Sequence, residues 1–158
     1  MELWELYDKN GRNTGILHMR GRPIPDGYYH VVVFLWVFTG DHQLMLLRKE
    51  SHKDSTWKLP CASVLQGETS FDTLHRLYYQ TTGYTSDHLH FFHRTIKDSA
   101  LYDHYIIKEE KELKKNDLYE FCLLHRSDFE HYIEQRFIDK PVVYWYRLFE
   151  REWDTVFK

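Results

Sequence analysis

Cysteine is scarce in this chain of 158 residues, with only Cys61 and Cys122. That excludes a disulfide-stapled scaffold and predicts a reduced, cytoplasmic protein. Long apolar runs are missing as well. The longest, Val31 to Phe38, is far short of the ~20 residues that cross a bilayer, and no secretory or transit leader is visible. Charge of one sign is not in excess either: 21 Lys and Arg stand against 24 Asp and Glu, a net charge of −3. No electrostatic pull toward nucleic acid or a membrane surface is therefore expected. No repeat, low-complexity tract or linker interrupts the chain, which predicts one domain over 1–158.

Aromatics are abundant, at 17% with 5 Trp, 12 Tyr and 10 Phe, so the core and any pocket should be rich in rings. Leu3 to Tyr7 reads as a strand entering a turn at Asp8-Lys9-Asn10-Gly11, because Asn-Gly supplies positive φ. Residues 20 to 30, with two prolines, form a loop. His30 to Phe38 is apolar throughout and reads as a strand buried on both faces. Gln43 to Leu47 is its hairpin partner. Further strands are predicted at His88 to Ile96, Asp103 to Lys108 and Tyr119 to Leu124. Ser127 is the expected cap of a helix reaching about Phe137, and Pro141 to Phe149 begins another. The eleven histidines are scattered. Only His88-Leu89-His90 alternates as a metal-binding pair could, without the cysteine pair or H-E-x-x-H spacing that would support it.

The richest segment is WKLPCASVLQGETSFDTLHRLYYQTTGY, from Trp57 to Tyr84. Thr69 or Ser70 can cap a helix, since a hydroxyl accepts an orphan backbone N–H. Phe71, Leu74 and Tyr78 recur as an apolar stripe that should pack on a sheet, and Gly83 suits a left-handed helix end. Asp72 in the first turn favours the helix dipole. Glu68 follows Ala62 after five residues, Arg76 follows Glu68 after seven, and Gly83-Tyr84 close the pattern. This spacing resembles the Nudix box, G-x5-E-x7-R-E-U-x-E-E-x-G-U, of diphosphate hydrolases.

With ELYDKNGRNTG, GYYHVVVFLWVF and LMLLRKESHKDSTWKLP, nearly the whole chain resembles the Nudix subgroup related to isopentenyl-diphosphate isomerase. The resemblance implies an α/β fold, an α/β/α sandwich with a mixed β-sheet between helices. It also implies that Glu68 and Arg76 brace the box loop against its helix. The family's divalent ions bridge diphosphate oxygens and activate water, and Mg2+ wants about six oxygen ligands. Where the family places glutamates on one helix face, this chain has Leu77, Gln80 and Thr81. A hydrocarbon, an amide and a hydroxyl cannot hold a divalent ion tightly, so no metal and no cofactor is expected.

The isomerase comparison places Cys61 at a catalytic cysteine, His30 where a metal-binding histidine ends the loop, and Asp117 near a partner glutamate. Ser63, Thr81 and Lys115 replace its other ligands, and one histidine makes no metal centre. Arg48 is implied to line the substrate site, with Arg20, Arg22 and Lys49 as further cations for phosphate and Trp36 and Trp57 as stacking surfaces.

Three functions are consistent with these residues. The first is a protein without metal-dependent hydrolysis that binds a phosphorylated small molecule through His30, Arg48, Cys61, Arg76 and Asp117. The second is a divergent hydrolase using Mg2+, with Glu68 as the catalytic residue and a relocated acid from Glu109, Glu110 or Glu112. That cluster, interleaved with lysines, otherwise reads as a solvated loop. The third is an interaction module or homodimer subunit, suggested by Tyr144, Trp145, Tyr146 and Phe149.

Overall fold

The computed structural model describes residues 2–49, 55–114 and 117–157. The expectation attached to Lys115 falls outside them. Two compact units can be separated along the chain: residues 1–35 with 61–105, and residues 36–60 with 106–158. Strands β3 (His30–Thr39) and β7 (Ala100–Glu109) run through both. The fold is of the α/β class, with a mixed sheet and, among the described residues, four helices.

In the first unit, β1 (Leu3–Tyr7) and β2 (Asn13–Met19) form an antiparallel hairpin that is a sheet of its own. Strand β2 escapes the sequence reading because its residues from Asn13 to Leu17 are all exposed, leaving no alternation to detect. The inner strand buries Trp4, Leu6 and Tyr7. Strand β3 pairs antiparallel with the short β5 (Cys61–Ser63), Val33 opposite Ala62. Strand β6 (His90–Lys97) lies beside β7, which lies beside β3. His88 stands before β6, so the pair His88 and His90 does not share a strand face.

Helix α1 (Ser70–Thr82) follows the box loop. Thr69 is its cap: the Oγ1 accepts from Asp72 N at 3.1 Å while Asp72 Oδ2 accepts from Thr69 N at 2.9 Å. This reciprocal box satisfies two orphan donors at once. Gly83, at φ 78°, ends the helix and donates its N–H to Tyr79 O at 2.8 Å. The buried side is Thr73, Leu74, Leu77 and Tyr78 with Thr82. Phe71 departs from expectation: it is 63% exposed, its ring against His75 at 4.1 Å, while Thr73 takes the inward place in the first turn.

In the second unit, β4 (Leu44–Lys49) pairs antiparallel with β8 (Tyr119–Leu124) over its full length and meets the end of β3 at Phe38–Leu44. The second half of β3 is buried on both faces, as its composition requires: Trp36, Val37 and Phe38 are at most 1% exposed. Helices α2 (Arg126–Glu134), α3 (Lys140–Leu148) and α4 (Glu150–Val156) complete it. The cap of α2 is His125 and not Ser127, because Asp128 reaches back to accept from His125 N at 3.2 Å. Pro141 sits in the first turn of α3, where a missing N–H costs nothing.

Trp153, fully buried, lies 4.4 Å from Trp36 and donates its indole N–H to Tyr146 O at 2.7 Å. Phe38, Tyr146 and Phe157 surround it, and Phe129 packs on Tyr146 and Phe157. Trp145, Tyr146 and Phe149 of the aromatic segment thus belong to this unit's core, while Tyr144 and Leu148 stay exposed. Among the described residues, no helix is long and apolar enough to cross a membrane.

Candidate functional site

The loop between β5 and α1 is held by its own backbone before any side chain acts. Val64 N–H donates to Val31 O at 2.9 Å and Glu68 N–H to Leu65 O at 2.9 Å. Gly67, at φ 79°, makes the sharp reversal that delivers Glu68 to the helix.

Glu68 is then engaged by four donors. Its Oε2 accepts from Arg76 Nε at 2.9 Å, and its Oε1 from Arg76 Nη2 at 3.0 Å, Thr73 Oγ1 at 3.0 Å and Leu65 N at 3.1 Å. Arg76 Nη2 also donates to Ser63 O at 3.2 Å, tying the helix to β5. The fork-on-carboxylate geometry is the strong form of this pairing. Arg76 above all holds the Glu68 carboxyl below its ordinary value of 4.5, against the opposing effect of burial, with lesser help from Leu65 N and Thr73. The brace expected from Glu68 and Arg76 is therefore present in detail. Sequence alone did not find Thr73 as its third member.

A carboxyl depressed in this way contributes stability that is complete above its unfolded value and lost as pH falls through its folded one. Glu68→Gln is accordingly expected to cost about 1–2 kcal/mol at pH 7 and to lose the acid-side part of the pH dependence. Urea midpoints between pH 6 and 3 check this; equal slopes for both proteins would contradict it.

The three positions opposite the family's glutamates do not share one environment. Leu77 is in the core at 5% exposure, Gln80 is exposed, and Thr81 is half-buried. With both Glu68 oxygens engaged and Leu77 turned inward, the residues present do not fit a Mg2+ site at these positions. Glu109 also departs from expectation. It ends β7 and is buried, whereas Glu110 and Glu112 are exposed, so the cluster is not one solvated loop.

His30 opens β3, its ring stacked on Trp4 at 4.3 Å and 12°. Burial lowers its pKa, partly offset by the Ser99 carbonyl. Its buried Nδ1 has no hydrogen-bond partner among the described residues. Cys61 opens β5 opposite Phe34, with its side chain exposed.

In the second unit, Arg48 is committed to its neighbours. Nε and Nη2 donate to the two Glu120 oxygens at 3.0 and 3.3 Å, and the guanidinium lies 4.3 Å from the Trp57 ring centre. Strand pairing places Arg48 opposite Glu120, so the contact follows from register. Trp57 and Trp36 are both buried, which corrects their assignment as stacking surfaces for a ligand. Asp117 is exposed just before β8. Arg20 is paired with Glu2 at 3.1 Å.

One buried ion pair was missed. Asp103, 1% exposed, accepts from Arg94 Nη2 at 2.8 Å. The two residues lie symmetrically about the turn at Asp98 and Ser99, opposite charges facing across the β6–β7 hairpin, and that symmetry was available in the sequence.

No protein-family model matches the chain. Over 91 residues it is 32% identical to an uncharacterised Nudix hydrolase of Listeria monocytogenes, covering 55% of this chain and 54% of the relative. The chain thus matches about half the length of that relative. Among solved structures, a protein from Deinococcus radiodurans superposes with a TM-score of 0.66 at 15% identity, covering 88% of this chain and 92% of that one. Tm1382, a Nudix hydrolase candidate, superposes with a TM-score of 0.58 at 15% identity, covering 75% and 70%. The chain has the Nudix fold, as expected. The sequence similarity is to uncharacterised Nudix hydrolases, over about half the length of each.

Proposed function

We propose that this Nudix-fold chain uses its box helix as a structural brace in place of a metal cradle, and binds a phosphorylated small molecule without hydrolysing it. The observation that carries this reading is the Glu68 carboxylate, whose two oxygens already accept four hydrogen bonds. A general base or metal ligand needs a free lone pair aimed at water or ion. Here Arg76, Thr73 and the loop backbone turn the carboxylate toward its own helix, with three of the four donors on Oε1 and Arg76 Nε on Oε2. Leu77 supports the same reading, because a core position has no use for a carboxylate. The ligand class follows from the diphosphate chemistry of proteins this chain resembles. Arg20 and Arg22, exposed after β2, are the cations we assign to its phosphate.

The test is calorimetric titration with nucleoside and isoprenoid diphosphates, run beside phosphate and pyrophosphate release with Mg2+ and Mn2+. Binding indifferent to the metal, with no release, is the expected result. Metal-dependent release abolished by Glu68→Gln would establish the divergent hydrolase instead, and no binding at all would leave the interaction module.

A further inference from the structure

The β1–β2 hairpin touches the box loop through hydrogen bonds that no local pattern announces. Gln66 N–H donates to Leu3 O at 2.9 Å, and Gly67 N–H donates to Glu5 Oε1 at 3.0 Å. Further along β1, Tyr7 and Tyr29 exchange backbone hydrogen bonds, both 2.8 Å. At the far end, the turn after Asp8 brings Gly11, at φ 80°, against the guanidinium of Arg94. A Cβ there would collide with Arg94 Nη1, and Asp103 holds that guanidinium in place. Between the hairpin and the loop lies an open depression of about 510 Å³, lined by Glu2 and Leu3 on one side and Leu65 and Gln66 on the other.

These observations describe a separate two-stranded sheet laid along the box loop, clasped at its tip and hydrogen-bonded at its base. We propose that the hairpin is a strap that opens from the box loop as one unit, with the Gly11–Arg94 contact as its clasp and the depression as the seam that widens. The buried Trp4, Leu6 and Tyr7 keep the closed form dominant, so opening is a minor state of the native ensemble. The strap governs exposure of the loop's backbone donors whether or not any diphosphate is turned over.

Native-state amide exchange on the full chain tests this. Gly11→Ala disturbs only the tip, through the positive φ and the collision with Arg94. Protection at Tyr7, Gln66 and Gly67 is expected to fall together, by about tenfold, while Gly83, bonded to Tyr79 at the end of α1, keeps its protection. Loss at Tyr7 with Gln66 and Gly67 unchanged would overturn the proposal, as would an equal loss at Gly83. Should Gly11→Ala not fold, the unsubstituted protein in low urea serves. Tyr7, Gln66 and Gly67 must then share one opening free energy and one urea dependence, distinct from those of Gly83; separate values among the three would overturn the proposal.

Discussion

Leu77→Glu, which puts a carboxylate where the Nudix pattern has one, is expected to lower the unfolding free energy by about 3 kcal/mol or more. Leu77 is 5% exposed, between Leu74 and Tyr78, which are fully buried. The substitution removes the apolar burial of a leucine, worth about 1.5–3 kcal/mol, and asks the core to take a charge. Desolvation would raise the pKa of the new carboxyl above its unfolded value. The penalty is therefore largest above that raised value and shrinks as pH falls toward the unfolded one. Gln80→Glu, at an exposed position of the same helix, is expected to change stability by less than about 0.5 kcal/mol. Urea unfolding at pH 7 and pH 5 measures both. A neutral Leu77→Glu would mean that position 77 opens onto a solvated cradle after all.

Trp153→Ala carries the second large effect, about 3–5 kcal/mol. The indole is fully buried against Trp36 at 4.4 Å, with Phe38, Tyr146 and Phe157 around it, and its N–H donates to Tyr146 O. Truncation leaves a cavity of aromatic size and an unpaired carbonyl. Tyr144→Ala, on the outward side of α3 at 63% exposure, serves as the contrast and should cost little. Thermal unfolding of the two variants separates them; similar midpoints would show that Trp153 does not organise the second unit.

The two substitutions probe opposite kinds of legibility. Strand β8, the hairpin joining β3 to β4, and the capped ends of α1 were readable because each has a local chemical cause: an aromatic and aliphatic run, a turn, a hydroxyl, a glycine. The brace between Glu68 and Arg76 was legible through the resemblance to the Nudix box, whose E-x7-R pair they match. What the sequence hid was long-range. Arg48 looked free for phosphate until register set Glu120 opposite it. Trp36 and Trp57 looked like stacking surfaces, although an aromatic stripe says nothing about which side of a sheet is covered. Phe71 fitted the helical stripe but lies beyond the packed surface, and β2 has no buried side to announce it. The contacts of Glu5 with Gly67 and Arg94 with Gly11 depend on a hairpin that folds back along the chain, which no residue spacing encodes.

The same distinction applies to the box. Its frame is a matter of spacing, which that of Glu68, Arg76 and Gly83 resembles. Its chemistry is a matter of where negative charge converges, and in this chain the available carboxylate is already bonded to its own helix.

Paramagnetic broadening by Mn2+ tests that most directly. Amide resonances of the isotope-labelled protein are followed as Mn2+ is added, with and without a nucleoside diphosphate. No selective broadening from Glu68 through Thr81 is the predicted outcome. Broadening centred on Glu68, Gln80 and Thr81, saturating with added ion, would contradict the account.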